Sequence, residues 1–256
     1  MTTISMSAHA DLDPTSFTHA KDDAQHDAQL LGRLTGLMFI VTFTTAIPPV
    51  VTFYVPALSD PNFVLGGGFD RNVSWGALLE LVLILANVAA GIALYPVLKR
   101  RFPVLSLGFL SARLIESAFI AMGIVALMAL NTLRMEAGDA DPASLMAVGN
   151  ALVAVHDWTF RIGPGIVVGI GNGLILGYMM WRTRLVPRYM SVLGLIGGPA
   201  LLAAGTAILF GAIDNGSTPQ VLATAPEFVW ELSLGVWLLV RGFDASALAA
   251  LDARQA

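Results

Sequence analysis

The sequence predicts an all-α protein: a polytopic membrane bundle with six transmembrane helices plus one external or half-inserted helix. Of the 256 residues, 56% are hydrophobic and 12% are charged, whereas a soluble domain usually carries about 25% charged residues. The apolar residues also form runs long enough to cross a bilayer, because a helix needs about 20 residues to span the roughly 30 Å hydrocarbon layer. Composition and run length therefore indicate the same class.

The first 28 residues differ from the rest of the chain. They are polar, acidic and rich in His, Asp and Thr. They lack the apolar core flanked by a basic start that characterises a cleavable signal peptide. We predict a disordered cytosolic tail at 1–28, a six-span membrane domain at 29–243 and a cytosolic C-terminal tail at 244–256.

Six apolar runs follow the tail, at residues 30–53, 74–98, 104–133, 163–181, 189–212 and 223–240. Residues 143–162 are also fairly apolar, but joined to the fourth run they would form a helix of about 60 Å, twice the bilayer thickness. We expect this helix to break at Gly163-Pro164-Gly165, because proline and glycine disfavour a helix interior. Residues 143–162 then form the external or half-inserted helix.

Basic residues predict the orientation, because cytoplasmic loops collect the excess of Lys and Arg. One side of the predicted bundle holds Arg33, Lys99, Arg100, Arg101, Arg182, Arg184, Arg188 and Arg241. The other side holds Arg71 and Arg134 beside acidic, turn-rich loops. We therefore predict a multi-pass protein of the cell membrane with both termini in the cytosol.

The residue inventory limits the chemistry and the partners. The chain has no cysteine, which excludes disulfides, thiolate metal sites and thiol catalysis. No metal-binding motif occurs within a span, and we predict neither a metal nor a cofactor. The expected partners are the lipid bilayer and a lipid-like or small-molecule ligand, with no nucleic acid; the oligomeric state is left open.

Seven ionisable side chains interrupt the apolar runs or border them. Each is costly at bilayer depth unless it is paired or hydrated, and so marks a candidate site. Helical rise places them in the outer half of the bundle. We expect one shared polar cavity, with the segment HDWTFR at 156–161 on its lid side. These side chains are Glu80, Arg113, Glu116, His156, Asp157, Arg161 and Glu231.

Spacing assigns candidate roles within this cluster. Glu80 and Asn87 share a helical face. The Arg113/Glu116 pair is three residues apart, and the Asp157/Arg161 and Glu227/Glu231 pairs are each four apart, so each pair can point inward together. Carboxylates outnumber arginines, so we expect Glu80, Glu116 or Glu231 to hold a proton. The candidate catalytic residues are Glu80, Glu116, His156 and Glu231. The candidate substrate-binding or network residues are Asn87, Arg113, Asp157, Arg161 and Asn172.

Three interpretations of this cluster stay open. The first is an intramembrane acid-base enzyme acting on a lipid or isoprenoid-like substrate, with a protonated Glu as acid and His156 as base. The second is a small proton-coupled permease, in which Arg113 or Arg161 binds an anionic group. The third is a polar network that holds the helices in register without catalysis. Catalysis is favoured over transport because the polar groups gather at one depth.

Several motifs lie in order along residues 30–243. The most specific are RLIES with Arg113 and Glu116, HD at 156–157, GYMMWRTRLVPR at 177–188 and ELSLGVWLLVRG at 231–242. Together they resemble the bacterial membrane proteins of the domain of unknown function 4386 family. The resemblance implies six membrane helices and an undefined activity. It leaves the three interpretations undecided.

Overall fold

A computed structural model of the protein describes the backbone of residues 14–253 and the side chains of residues 23–253. Over this range the chain consists of helices and connecting loops, with no strand. The α-helices are α1 (Pro14–Pro48), α2 (Val55–Ser59), α3 (Arg71–Leu98), α4 (Pro103–Met135), α5 (Pro142–Ile162), α6 (Gly177–Thr183), α7 (Arg188–Leu209), α8 (Thr218–Arg241) and α9 (Ala245–Asp252). Short 3-10 and π-helical stretches connect some of them.

Six helical segments of the described chain are long and apolar enough to cross a membrane. They are Asp23–Phe53, Arg71–Leu98, Pro103–Met135, Pro142–Thr183, Arg188–Leu209 and Thr218–Arg241. Each contains or closely overlaps one of the six apolar runs predicted from the sequence. The predicted all-α, six-span membrane bundle is confirmed.

The fourth segment differs from the prediction, because the expected break at Gly163-Pro164-Gly165 is wrong. Helix α5 continues through the π-helical stretches Gly163–Val167 and Gly169–Leu176 into α6, giving one segment of 42 residues. A π-helix bonds each N–H five residues back, and such turns accommodate irregularity inside a helix. Gly163 serves packing here, because a Cβ on it would lie 2.8 Å from the Cβ of Phe119 on α4.

Residues 143–162 are thus the first half of a long rod and not a separate helix. At about 1.5 Å per residue the rod is about 60 Å long, and α5 packs along α4, which has 33 residues. Beyond Gly163 the rod packs against α7 as well as α4. The α4–α5 hairpin therefore extends the bundle at the end where these two helices are joined.

Helices extend into part of each segment that we predicted as a tail. Residues 14–28 belong to α1, and residues 1–13 lie outside the described range. Ala28 is fully buried, and the Gln29 amide bonds both the N–H and the carbonyl of Phe243, at 2.9 and 2.8 Å. These contacts fasten the start of the first span to the end of α8.

The C-terminal tail contains a docked helix, α9. Leu248 and Leu251 on one face of α9 are buried in the main apolar core. Asp244 caps its first turn by accepting a hydrogen bond from the N–H of Ala247 at 2.9 Å. The Arg100 guanidinium pairs with Asp252 at its last turn, at 2.5 Å.

The two ends of the bundle differ in charge. At one, which we call the basic end, the N–H of Asp244 bonds the carbonyl of Leu185 at 2.9 Å, and the rings of Phe102 and Tyr178 lie 5.8 Å apart. These contacts join the three basic segments 99–101, 182–188 and 241–244. At the opposite, loop end, the Asn131 amide exchanges two hydrogen bonds of 2.9 Å with the backbone of Asp70.

The main apolar core lies toward the basic end. Its largest fully buried members include Phe39, Phe109, Met179, Met180 and Trp230. A smaller apolar cluster around Tyr54 and Leu130 supports the loop end. The layer between these two clusters contains most of the polar side chains predicted from the sequence.

Candidate functional site

A cavity of about 200 Å³ lies between α1, α3, α4, α8 and the π-helical part of the fourth segment; we call it the inner cavity. Much of its wall is apolar and includes Phe43, Leu83, Ile120, Phe160 and Phe228. Its charged and amide side chains are Asn87, Arg113, Glu116, Glu227 and Glu231. Four of these five were named as site candidates from the sequence.

Arg113 and Glu116 form the ion pair that their spacing predicts. Arg113 Nη1 donates to Glu116 Oε2 at 2.9 Å, one helical turn along α4. The guanidinium also lies over the rings of Phe39 and Phe109, with its carbon 5.1 and 5.6 Å from their centroids. Two aromatic faces and a carboxylate thus hold the guanidinium at the cavity wall on the side of the main core.

Asn172 connects the fourth segment to α8. Its Nδ2 donates to Glu231 Oε1, and its backbone carbonyl accepts a hydrogen bond from Trp230 Nε1 at 3.1 Å. Asn172 lies within the π-helical stretch Gly169–Leu176, and π-turns inside α-helices often occur at functional sites. This contact fixes the position of the Glu231 carboxyl beside the cavity.

Glu227 is a cavity residue that the site prediction did not include. It is 2% exposed, and neither of its carboxyl oxygens has a hydrogen-bond partner among the described residues. Small residues make room for it, since a Cβ on Gly173 or Gly197 would lie 2.7 Å from Glu227 Oε2. Its spacing of four from Glu231 puts both carboxyl groups on one face of α8, as the sequence predicts.

Asn87 presents a second unpaired polar group to the cavity. Its side chain is buried, and both amide atoms lack a partner among the described residues, as does Arg113 Nε. Buried polar atoms are almost always hydrogen-bonded in proteins. Several unpaired atoms around one cavity therefore suit the binding of a polar group there.

The charges around the inner cavity do not balance. One guanidinium, that of Arg113, faces the three carboxyl groups of Glu116, Glu227 and Glu231. Three ionised carboxylates close together in an apolar setting would repel each other and be poorly solvated. The arrangement favours a proton shared among these carboxyls.

Glu80 and His156 belong to a second group nearer the loop end. Tyr54 Oη donates to Glu80 Oε2 at 2.9 Å, and the rings of Tyr54 and His156 meet edge to face with centroids 5.6 Å apart. Glu80 and His156 do not line the inner cavity. The single cluster expected from the sequence is therefore divided, because Glu80 precedes Asn87 by seven residues, or about 10 Å of helix.

The HDWTFR segment borders a second cavity of about 360 Å³, the mouth, at the loop end. His156, Asp157 and Arg161 line it. Arg161 Nη2 lies 3.4 Å from Asp157 Oδ2, and His156 Nδ1 lies 3.7 Å from Asp157 Oδ1. The Asp157 side chain is 39% exposed. The Asp157–Arg161 pair therefore faces the opening, and neither residue lines the inner cavity.

The mouth and the inner cavity adjoin. Both are lined by Phe160, Pro164 and Thr224. These three residues form the partition between an outer opening and a buried polar chamber. His156, Asp157 and Arg161 thus line the mouth, and Phe160 lies between the mouth and the inner cavity.

Residues 34–242 match the family model described as Domain of unknown function (DUF4386). The chain belongs to this family. No curated protein and no solved structure matches it. The DUF4386 family assignment agrees with the membrane architecture. The family description gives no activity, so the side chains of the inner cavity are the basis for inferring one.

The inner cavity of this DUF4386 protein also approaches the lipid-facing surface. Phe43 on α1 and Phe228 on α8 pack edge to face with centroids 5.0 Å apart, and both line the cavity. Phe228 is 44% exposed. This aromatic pair separates the polar chamber from the surrounding membrane at the α1–α8 seam.

Among the described residues of this DUF4386 protein, no group of three or more His, Asp or Glu side chains is arranged to hold a metal ion. The inner cavity instead combines carboxyl, guanidinium and amide groups with an apolar wall. Such a set of side chains can bind a polar head, exchange protons with it and accommodate an apolar body.

Proposed function

We propose that this protein is an intramembrane acid-base enzyme acting on a lipid or isoprenoid-like substrate. The observation that carries the proposal is the composition of the inner cavity. Arg113, Glu116, Glu227 and Glu231 face a buried chamber whose remaining wall is largely apolar. That combination fits a substrate with a polar reactive head and an apolar body.

The side chains divide naturally into binding and proton-transferring groups. Arg113 is held by Glu116 and two aromatic rings, so it is a fixed cation for an anionic or strongly polar head. Glu227 and Glu231 are one turn apart on α8 and compete for protons. The protonated carboxyl of the two can donate a proton to the substrate, and the ionised one can accept a proton from it. The amide of Asn87 adds a donor and an acceptor.

His156 has a different place in this proposal from the one its position in the sequence suggested. Its ring meets the Tyr54 ring edge to face and lies tilted against the Phe160 ring, at 4.9 Å between centroids. It borders the mouth, outside the inner cavity. We assign His156 to the entrance and the carboxyls of α8 to proton transfer, with Glu80 buried behind His156 and bonded to Tyr54. Asp157 and Arg161 then form the outer rim.

The α1–α8 seam supports a lipid-like substrate. Phe43 and Phe228 line the inner cavity and Phe228 is 44% exposed, so this side of the cavity lies next to the bilayer, where an apolar substrate is concentrated. A water-soluble substrate needs no access from the bilayer, since the mouth opens at the loop end.

Two other functions, a structural network and a permease, account for fewer features of the inner cavity. A purely structural network should pair its buried groups, yet Asn87 and Glu227 have no hydrogen-bond partners among the described residues. A permease needs a path toward both sides of the membrane. Between the inner cavity and the basic end lies the main apolar core, with Leu94, Met180 and Leu234 fully buried.

We further propose that the basic end faces the cytosol, with both termini on that side and the mouth facing outward. The support is the gathering of segments 99–101, 182–188 and 241–244 at one end, because cytoplasmic loops are enriched in Lys and Arg.

The experiment is an untargeted comparison of lipids. Wild-type protein and the Glu231→Gln variant are incubated with a membrane lipid extract in nanodiscs, and the lipids are analysed by mass spectrometry. We expect wild type to convert at least one lipid class and Glu231→Gln to do so about 100-fold or more slowly, the usual contribution of a general acid or base.

The matched control is Glu136→Gln, which removes an exposed carboxyl remote from the cavity and should leave conversion intact. Identical lipid profiles for folded wild type and folded Glu231→Gln would contradict the proposal. Proton uptake into sealed vesicles by wild type without any lipid conversion would favour the permease instead.

A further inference from the structure

A second polar pocket lies at the basic end, far from the inner cavity. It has a volume of about 560 Å³ and lies where the α6–α7 turn meets the end of α8. Three arginines, Arg184, Arg188 and Arg241, line it together with Trp237. Nothing in the proposed acid-base chemistry uses these residues.

Two of the three arginines of this pocket, which we call the basic pocket, lie over tryptophan rings. The guanidinium of Arg188 lies 5.2 Å from the ring centroid of Trp181, and that of Arg241 lies 5.4 Å from that of Trp237. All three arginines are exposed. Tryptophan and arginine together are typical of the membrane-water interface, where the ring lies at headgroup level.

Arg184 occupies an unusual backbone position. Its φ of 60° places it in the left-handed region, and it is the only non-glycine residue among 14–253 with a positive φ. Glycine is favoured where a helix ends in this conformation, and here Arg184 closes α6. The arginine side chain is therefore present at a position where the backbone alone would favour glycine.

One carboxylate, that of Asp244, also lines the pocket. It is engaged as the cap of α9, accepting hydrogen bonds from Ser246 Oγ at 2.6 Å and from the N–H of Ala247 at 2.9 Å. These bonds hold the pKa of Asp244 below its usual range. Asp244 therefore stays ionised, but its carboxylate points to the first turn of α9. Three guanidinium groups against this one carboxylate leave the pocket with a net positive charge.

An apolar groove continues from the basic pocket along the outer surface of α7 and α8. It has a volume of about 520 Å³ and is lined mainly by Met190, Val229, Leu232, Val236 and Val240. Trp237 and Arg241 line both the groove and the basic pocket. The basic pocket and the apolar groove thus form one continuous surface.

We propose that this surface binds an anionic phospholipid, with its phosphate at Arg184, Arg188 and Arg241 and one acyl chain in the α7–α8 groove. Arginine matches phosphate oxygens through paired N–H donors. Basic pockets between membrane helices on the cytoplasmic side are suited to acidic headgroups, which are enriched in that leaflet. The groove explains why the ligand is a lipid and not free phosphate.

The test uses vesicles of phosphatidylglycerol or phosphatidylcholine with brominated acyl chains, which quench nearby tryptophans. The chain has five tryptophans, so the Trp237→Phe variant identifies the part of the signal that comes from the pocket. We expect phosphatidylglycerol to quench Trp237 at a several-fold lower mole fraction than phosphatidylcholine. Removing one of the three pocket arginines should weaken this preference about fivefold or more, because a charge-assisted hydrogen bond between a guanidinium and a phosphate is roughly twice as strong as a neutral one.

Arg184→Gly separates binding from folding. Glycine relieves the left-handed backbone, so this variant should unfold at the same or a higher temperature and still lose the lipid preference. The matched control is Arg182→Gln. Arg182 is exposed at the same end and bonds Tyr178 Oη at 3.0 Å, but it does not line the pocket, so its loss should leave the preference unchanged.

Val236→Phe tests the groove, because phenylalanine fills space without adding a tryptophan signal. Filling the groove should weaken binding of the long-chain lipid. Equal quenching by both lipids would overturn the proposal, as would an Arg182→Gln effect as large as that of the pocket arginines. Full competition by soluble glycerol phosphate, or unchanged lipid binding by Val236→Phe, would show that the groove is not part of the site and would also overturn it.

Discussion

Tyr54, just after the first membrane span, donates a hydrogen bond of 2.9 Å to Glu80 on α3, across 26 residues of sequence. Glu80 is fully buried and its other oxygen, Oε1, has no partner among the described residues. Among the described residues, the Tyr54 hydroxyl is therefore the hydrogen-bond donor to this buried carboxyl group. Its ring also supports His156, so a single side chain connects α3 to the mouth.

Removing this hydroxyl should destabilise the fold. Tyr54→Phe leaves the buried Glu80 carboxyl without a donor, which costs about 1–3 kcal/mol. Thermal unfolding in detergent measures the loss. The control is Tyr189→Phe, which removes a hydroxyl from a side chain that is 68% exposed and should have little effect. An unchanged unfolding temperature for Tyr54→Phe would show that the Glu80 carboxyl is satisfied in another way.

We predict that at least one carboxyl of the membrane bundle is protonated at neutral pH. Glu116, Glu227 and Glu231 surround one guanidinium, and unbalanced carboxylates are costly in an apolar setting. Infrared spectra should show a protonated carboxyl band that is lost or shifted in Glu227→Gln or Glu231→Gln. A spectrum unchanged by Glu→Gln substitution at Glu80, Glu116, Glu227 and Glu231 would show that all four are ionised.

The contact between α7 and the π-helical stretch should tolerate no added methyl group. A Cβ on Gly198 would lie 2.6 Å from the Gly169 carbonyl oxygen and 2.9 Å from the Gly173 Cα, both backbone atoms. Gly198→Ala should therefore destabilise the protein by about 1–3 kcal/mol through overpacking.

The control for this contact is Gly108→Ala. A Cβ there would meet only the end of the Ile175 side chain, at 3.7 Å, and alanine favours a helix over glycine. This variant should be as stable as wild type or more so. If Gly198→Ala and Gly108→Ala unfold at the same temperature, the close approach of α7 to the fourth segment is not as tight as described.

Asp141 should make stability depend on pH at the loop end. It caps α5 by accepting bonds from Ser144 Oγ at 2.8 Å and the Ser144 N–H at 3.0 Å, and these bonds hold its pKa below the usual range. Its contribution is therefore present above the unfolded-state value of about 3.9 and is lost as pH falls through the lowered folded value.

Asp141→Asn keeps a capping oxygen without the titratable charge, because Asn and Asp are comparable helix caps. We expect its unfolding temperature to fall less than that of wild type over this acidic range. The two are compared by thermal scans at a series of pH values. Identical pH profiles would assign the acid sensitivity to other groups.

Orientation can be tested with single cysteines, because the chain contains none. Asp139→Cys lies in the loop between α4 and α5, and Ala253→Cys follows α9 at the basic end. An impermeant thiol reagent added to intact cells should label position 139 and leave position 253 unlabelled until the cells are opened. Labelling of position 139 only after opening would reverse the proposed topology.

The number of spans and the charge difference between the ends could be read from the sequence, because both depend on local properties. An apolar run of about 20 residues forms a membrane helix whatever surrounds it. The Arg113–Glu116 pair was likewise predictable, since a spacing of three puts two side chains on one face of a helix. Four of the five charged and amide residues of the inner cavity were found in this way.

The tertiary structure alone decided which of these groups meet. Tyr54 reaches Glu80 through the packing of α1 on α3, and no sequence spacing indicates that contact. Glu227 is buried beside Gly173 and Gly197 because α7 and α8 approach closely. The rod from α5 to α6 continues past Gly163-Pro164-Gly165 because neighbouring helices pack against it. Local sequence sets which helices form, whereas contacts between distant segments determine how those helices meet and which side chains share a cavity.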